Sequence, residues 1–165
     1  MHTDVVVLAA GKGTRMQSNT AKVLHQLAGK SLIHHVLETA RTLKPRKVAV
    51  VIGHQGTEVQ SALSAVDQPA EIVWVEQAEQ LGTGHAVKLA KEHLPDDGVT
   101  LVLYGDVPLI SQTTLEECEQ AARLGSVGLV VAEFSDPAQL GRIVRDDQGA
   151  ITAIVEFKDA SDEQR

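Results

Sequence analysis

Short β-rich runs alternate with helical patterns along most of the chain. The runs are Val5–Leu8, Lys47–Ile52, Glu71–Glu76, Thr100–Tyr104 and Val127–Glu133. Between them lie Ser31–Leu43, with Leu32, Val36, Leu37 and Ala40 at helical spacing, Glu58–Val66, Thr83–His93, and a segment that Ser111 can cap and that runs through Arg123. Near-continuous apolar strands joined by helical crossovers predict βαβ units around a mostly parallel sheet covered on both faces. The expected class is therefore α/β, a Rossmann-like three-layer fold. Near the end the pattern changes: Arg142–Arg145 and Ile151–Phe157 flank Asp146-Asp147-Gln148-Gly149-Ala150, which predicts a hairpin added to make the sheet mixed, and Asp159–Arg165 reads as the start of a helix. There is no internal repeat or linker, and 165 residues suit a single domain.

Charge is distributed unevenly. The chain is acidic, with 22 Asp and Glu against 15 Lys and Arg, which disfavours nucleic acid and anionic membranes as partners. Yet Val5–Leu37 contains no acidic residue and carries Lys12, Arg15, Lys22 and Lys30. The first strand–loop–helix unit is thus a basic island, and its loop, Leu8-Ala9-Ala10-Gly11-Lys12-Gly13-Thr14-Arg15-Met16, follows directly on a strand. Small residues let backbone N–H groups approach an anion closely, at the carboxyl end of a strand where open α/β sheets place their ligands. Two familiar phosphate loops do not fit. The third position of G-x-G-x-x-G is Met16, against a dinucleotide fingerprint, and Gly29-Lys30-Ser31 lacks the first P-loop glycine because position 24 is Leu24.

No run approaches the ~20 apolar residues that span a bilayer, and the N-terminus lacks a signal peptide's basic region. Cys118 has no second cysteine to pair with. These features lead to the expectation of a cytoplasmic protein with no membrane partner. His34 and His35 are adjacent on a helix and point about 100° apart, so they do not chelate a zinc ion together. Asp106, after an apolar strand and beside Gly105, can reach a hard cation, or can close an Asx-type turn before Pro108.

The Leu8–Met16 loop followed by Lys22 resembles the signature of nucleotidyltransferases that act on sugar-1-phosphates. Gln77-Ala78-Glu79-Gln80-Leu81-Gly82-Thr83-Gly84-His85-Ala86 and Leu103-Tyr104-Gly105-Asp106-Val107-Pro108-Leu109-Ile110 are similar to the bacterial bifunctional N-acetylglucosamine-1-phosphate uridyltransferases. So are Leu140-Gly141-Arg142-Ile143 and Ile154-Val155-Glu156-Phe157-Lys158-Asp159-Ala160. The resemblance implies a nucleotidyltransferase fold and transfer of UMP from UTP to N-acetylglucosamine-1-phosphate. The products would be UDP-N-acetylglucosamine, for peptidoglycan and lipopolysaccharide precursors, and pyrophosphate. It implies Mg2+ on Asp106, and Lys22 neutralising the α-phosphate with Arg15 and Lys12 on the outer phosphates. Leu8, Ala9, Ala10, Gly11 and Gln77 would read the uracil edge, where an amide offers both a donor and an acceptor. Gly82 and Thr83 would lie over base and sugar, with Thr83 also able to cap the following helix. Gly141 and Glu156 would contact the N-acetylglucosamine, with Tyr104 and Gly105 near it.

Two features depart from the family. Ala21 stands where it has Pro, which would preset the backbone. The family's uridyltransferase domain also continues past residue 165. A trimerising left-handed β-helix acetyltransferase domain then follows, so this chain is expected to be an incomplete uridyltransferase domain whose parent is a homotrimer. Two other readings stay open: another sugar-1-phosphate nucleotidyltransferase, or a UDP-sugar-binding fragment without turnover.

Overall fold

The computed structural model describes residues 1–11, 13, 16, 18–64 and 72–165. The chain divides into two compact units, Met1–Val130 and Val131–Arg165. In the first, four parallel strands, β1 (His2–Leu8), β4 (Lys47–Ile52), β5 (Ile72–Glu76) and β6 (Gly98–Tyr104), form one sheet in the order β5-β4-β1-β6. Two-residue strands β2 (Gln26–Leu27) and β3 (Lys30–Ser31) make a small antiparallel ribbon. The helices are α1 (Leu32–Thr42), α2 (Gly56–Ser64), α3 (Thr83–Lys91) and α4 (Gln112–Arg123).

Alternation along the strands decides which helices cover which face. Val5 and Val7 of β1, with Val48, Val50, Leu101 and Leu103, pack on Ile33, Val36 and Leu37 of α1, Val59 and Leu63 of α2 and Leu115 of α4. Val6 points the other way and joins Ala49, Val51 and Val75 against Ala86 and Ala90 of α3. The three layers are therefore unequal. β6 ends the sheet, and its Thr100, Val102 and Tyr104, on the face opposite α4, are exposed.

Polar ties fix the rim. Asp4, fully buried in β1, accepts from Arg46 Nε at 3.1 Å and Nη2 at 2.6 Å, and Arg46 also donates to Asp97 at 2.7 Å. Asp4 first, and Asp97 next, hold the Arg46 guanidinium above its ordinary pKa, and Arg46 holds the Asp97 carboxyl below its own. Across α4, Glu119 accepts from Thr3 Oγ1 and Arg123. Burial works to raise the Glu119 pKa but is outweighed by these bonds, so it lies below its ordinary value.

The second unit holds a hairpin of β7 (Arg142–Arg145) and β8 (Ile151–Val155), antiparallel with Arg142 opposite Val155. It forms as its own two-stranded sheet, so the expected mixed sheet resolves into a parallel sheet and separate antiparallel ribbons. Its second strand stops before Phe157, which opens a 3₁₀ turn at Phe157–Asp159 and has the Arg142 and Arg165 guanidinium carbons 5.4 and 4.9 Å from its ring centre.

Two sequence expectations are corrected. Val127–Glu133 forms no strand. Its residues lack a ladder partner, and Gly128 packs so closely on Cys118 of α4 that a Cβ there would fall 2.8 Å from the Cys118 Cα, which keeps the chain beside the helix. Asp159 closes the 3₁₀ turn, and beyond it the Ser161 carbonyl accepts from the Gln164 and Arg165 N–H groups at 3.1 Å each, the bonding of a helical turn. Gly82, not Thr83, caps α3; Thr83 is its first residue. Ser111 caps α4 as expected, accepting from the Thr114 N–H at 3.1 Å. Among the described residues no helix is long and apolar enough to cross a membrane.

Candidate functional site

The carboxyl ends of β1, β5 and β6 surround a cleft of about 510 Å³. Its floor is the segment leaving β1. The Ala9 N–H donates to Val51 O at 2.8 Å and Leu8 O accepts from the Gly105 N–H at 2.9 Å, so the loop is tied to both neighbouring strands. Gln80 Nε2 donates to Ala10 O at 2.7 Å and closes a third side. Backbone hydrogen bonds hold this segment in place without large side chains, and that leaves space over Leu8, Ala9, Ala10 and Gly11.

Gly13 lies at φ 57° and a Cβ there would fall 2.8 Å from Lys22 Cβ, so only glycine lets the loop pass this close to the lysine. Lys22 opens the 3₁₀ turn Lys22–Leu24 and points its ammonium at the Asp106 carboxylate, with which it forms an ion pair. Ala21 before it is buried at φ −52°, within the range a proline ring imposes, so the backbone geometry is kept without proline. Asp106 follows β6, and packing around Ala21 and Val23 holds Lys22 opposite it. Among the described residues no three His, Cys, Asp or Glu side chains cluster to cage a metal. One carboxylate at the mouth of a cleft suits a magnesium-like cation, which takes the rest of its shell from phosphate oxygens and water.

Gln77 extends the β5 ladder, its N–H donating to Ile52 O at 2.8 Å, and turns its side chain under the cleft, where the residue is only 4% exposed. Nε2 donates to Gly82 O at 3.0 Å and lies 3.2 Å from His85 Nδ1. The amide's donor half is thus engaged inside the protein. Gly82 has φ 98°, a conformation that favours glycine, and its carbonyl also accepts the Ala86 N–H of α3 at 3.2 Å. Thr83 and Tyr104 also line the cleft.

The structure therefore gathers Leu8, Ala9, Ala10, Gly11, Lys22, Gln77, Gly82, Thr83, Tyr104 and Asp106 around one cleft, with Gly105 bonded to Leu8. Lys12 and Arg15 lie outside the described residues. Gly141 and Glu156 belong to the second unit, where the pairing of Arg142 with Val155 puts both at the same end of the hairpin. Sequence reasoning missed Gln80 and His85. Both lie in the Gln77–Ala86 stretch, where Gln80 looks like an ordinary polar loop residue and His85, at a helix start, reads as polar packing.

A profile of the MobA-like NTP transferase domain matches residues 5–155. The chain is 54% identical over 162 residues to the bifunctional protein GlmU of Neisseria gonorrhoeae, covering 98% of this chain and 34% of that one. It thus spans about a third of the length of the curated relatives it matches. Among solved structures, HddC from Yersinia pseudotuberculosis complexed with GMP-PN has a TM-score of 0.69 at 19% identity, covering 94% of this chain and 69% of that one. Rv0371C of Mycobacterium tuberculosis in complex with manganese has a TM-score of 0.59 at 18% identity, over 74% and 60%. These two likenesses concern the fold.

Proposed function

The chain belongs to the MobA-like NTP transferase domain family, and from that premise we propose that it is the uridylyl-transferring part of an enzyme that makes UDP-N-acetylglucosamine. In that reaction a phosphate oxygen of N-acetylglucosamine-1-phosphate bonds to the α-phosphorus of UTP. The bond from that phosphorus to the bridging oxygen breaks, and pyrophosphate leaves. Such a transfer asks for positioning and charge neutralisation more than for a covalent intermediate. The observation that carries the reading is the pairing of one lysine with one carboxylate, Lys22 and Asp106, at the mouth of a cleft floored by backbone.

Lys22 meets the charge that builds on the α-phosphate, with Arg15 and Lys12 on the outer phosphates. Asp106 holds Mg2+, which supplies charge neutralisation to the phosphates when bound. In this reading the loop Leu8–Gly11 and Gln77 serve the base and Gly82 and Thr83 the base and ribose, and the resemblance assigns the acetylated sugar to Tyr104 and, from the second unit, to Gly141 and Glu156. The high identity to the GlmU relatives supports this sugar and nucleotide. The same proposal includes a longer parent protein with an acetyltransferase domain, a homotrimeric assembly and a cytoplasmic role in cell-wall precursor synthesis, as the family resemblance implies.

Calorimetric titration with UDP-N-acetylglucosamine in magnesium, with dTDP-glucose as control, tests the assignment. Selective binding of the UDP-sugar is expected; equal binding of both nucleotide sugars points to another sugar nucleotide. Turnover tests Lys22 separately. Lys22→Ala is expected to lower kcat on the order of a hundredfold while changing UTP affinity far less, because the lysine acts on charge that develops in the transition state. Equal losses in both would make Lys22 a ground-state binding residue.

A further inference from the structure

Gly82 O can only accept a hydrogen bond, so the Gln77 side-chain atom 3.0 Å from it is the amide nitrogen. The same nitrogen lies 3.2 Å from His85 Nδ1. It has two hydrogens and no lone pair to offer, so Nδ1 is the acceptor and the imidazole carries its proton on Nε2. Both amide hydrogens are then used. The amide oxygen, in a residue 4% exposed on the cleft wall, meets no donor among the described residues.

From this geometry we infer that His85, in its neutral Nε2–H form, is a positioning residue for base selection: it clamps the Gln77 amide so that only its oxygen faces the cleft. The inference rests on the uridylyl reading above. A fixed acceptor suits a base whose ring nitrogen carries a hydrogen, as N3 of uracil does. The same acceptor opposes the N3 lone pair of cytosine. Sites that present a committed polar group reject a mismatched partner because the group is left unpaired or repelled. Gly82 O alone holds the amide by one bond; His85 is the second, and together they prevent it from turning its nitrogen into the cleft. His85 itself sits in the first turn of α3, a single residue before the buried Ala86, so the helix anchors the clamp.

The test compares UTP and CTP binding in magnesium to the wild-type chain, His85→Leu and His85→Asn, together with ¹⁵N spectra of the His85 ring. The wild type is expected to prefer UTP and to show the Nε2–H tautomer. In His85→Leu the UTP-over-CTP ratio should fall roughly tenfold, the scale of one lost hydrogen bond. His85→Asn, whose side-chain oxygen can stand near the position of Nδ1, should restore most of it. An unchanged ratio in His85→Leu, or a wild-type ring protonated on Nδ1, overturns the clamp. A wild type without preference for UTP overturns the uridylyl reading instead, and the ring spectrum still decides whether the clamp exists.

Discussion

Asp106→Asn is expected to lower metal-dependent pyrophosphate release from UTP by roughly 10²–10³-fold or more, the scale found when one preorganised electrostatic group is removed from an enzyme's active site. Asparagine keeps the size of the side chain but offers a neutral oxygen to a hard cation and no charge to Lys22, with which Asp106 is paired. The fold should be untouched, because Asp106 follows β6 at the rim and takes no part in either hydrophobic core. The assay is pyrophosphate release across a magnesium series, in this chain and in the longer form that matches the relatives' length. The defect should shrink little at saturating metal if the carboxylate positions the ion as well as attracting it. Near-normal turnover would remove Asp106 from the metal site and leave it as the partner that orients Lys22.

Leu115→Ala is expected to cost about 2–5 kcal/mol of stability, the usual range for emptying a fully buried leucine site. Leu115 is 2% exposed and is the one fully buried residue of α4, the helix behind β6. Ile110 and Cys118 are partly buried against the same core, and how far they relax into the space sets where in that range the loss falls. Polar ties also join α4 to β1 and to Met1 before it: Thr3 Oγ1 bonds Glu119 and accepts from Arg123 at 2.9 Å, and Arg123 donates to Met1 O at 2.7 Å. A loss of that size is a large share of the 5–15 kcal/mol typical of whole domains. Urea unfolding should show it as a shifted midpoint. Leu124→Ala, one residue past the same helix and 79% exposed, should stay within about 0.5 kcal/mol. Similar effects of the two changes would mean that α4 is held by its polar ties.

The parallel sheet was legible because its inner strands, β1 and β4, are buried on both faces, and burial on both faces writes itself as uninterrupted Val, Ile and Leu. Lys47–Ile52 is the clearest case and forms with those same bounds. Val127–Glu133 has the same look and fails, since a β-branched run becomes a strand only when another strand lies beside it; Val127 instead stands 93% exposed. The cleft was legible at Leu8–Gly11 and Lys22 through small residues and a local excess of basic charge, and at Asp106 through its place after an apolar strand and beside a glycine. Gln77, Gly141 and Glu156 came from resemblance alone. The way Gln77 is held could not be read at all, because it depends on a carbonyl turned back by the positive φ of Gly82 and on an imidazole one helical turn away.

The strand order has a consequence for how the chain is made. β1 lies inside the sheet between β4 and β6, with His2 opposite Gly98 and Leu8 opposite Tyr104. At the ~5–20 residues per second of synthesis, the roughly hundred residues that separate these partners take on the order of 5–20 s to appear. Throughout that interval Val5, Val6 and Val7 sit on an open strand edge, with β4 and β5 able to join on one side only. The nascent chain is at its most adhesive before β6 emerges. A pause in translation upstream of Gly98 would lengthen that exposure and raise the demand for chaperones, whereas a pause after Tyr104 would leave the finished sheet time to close.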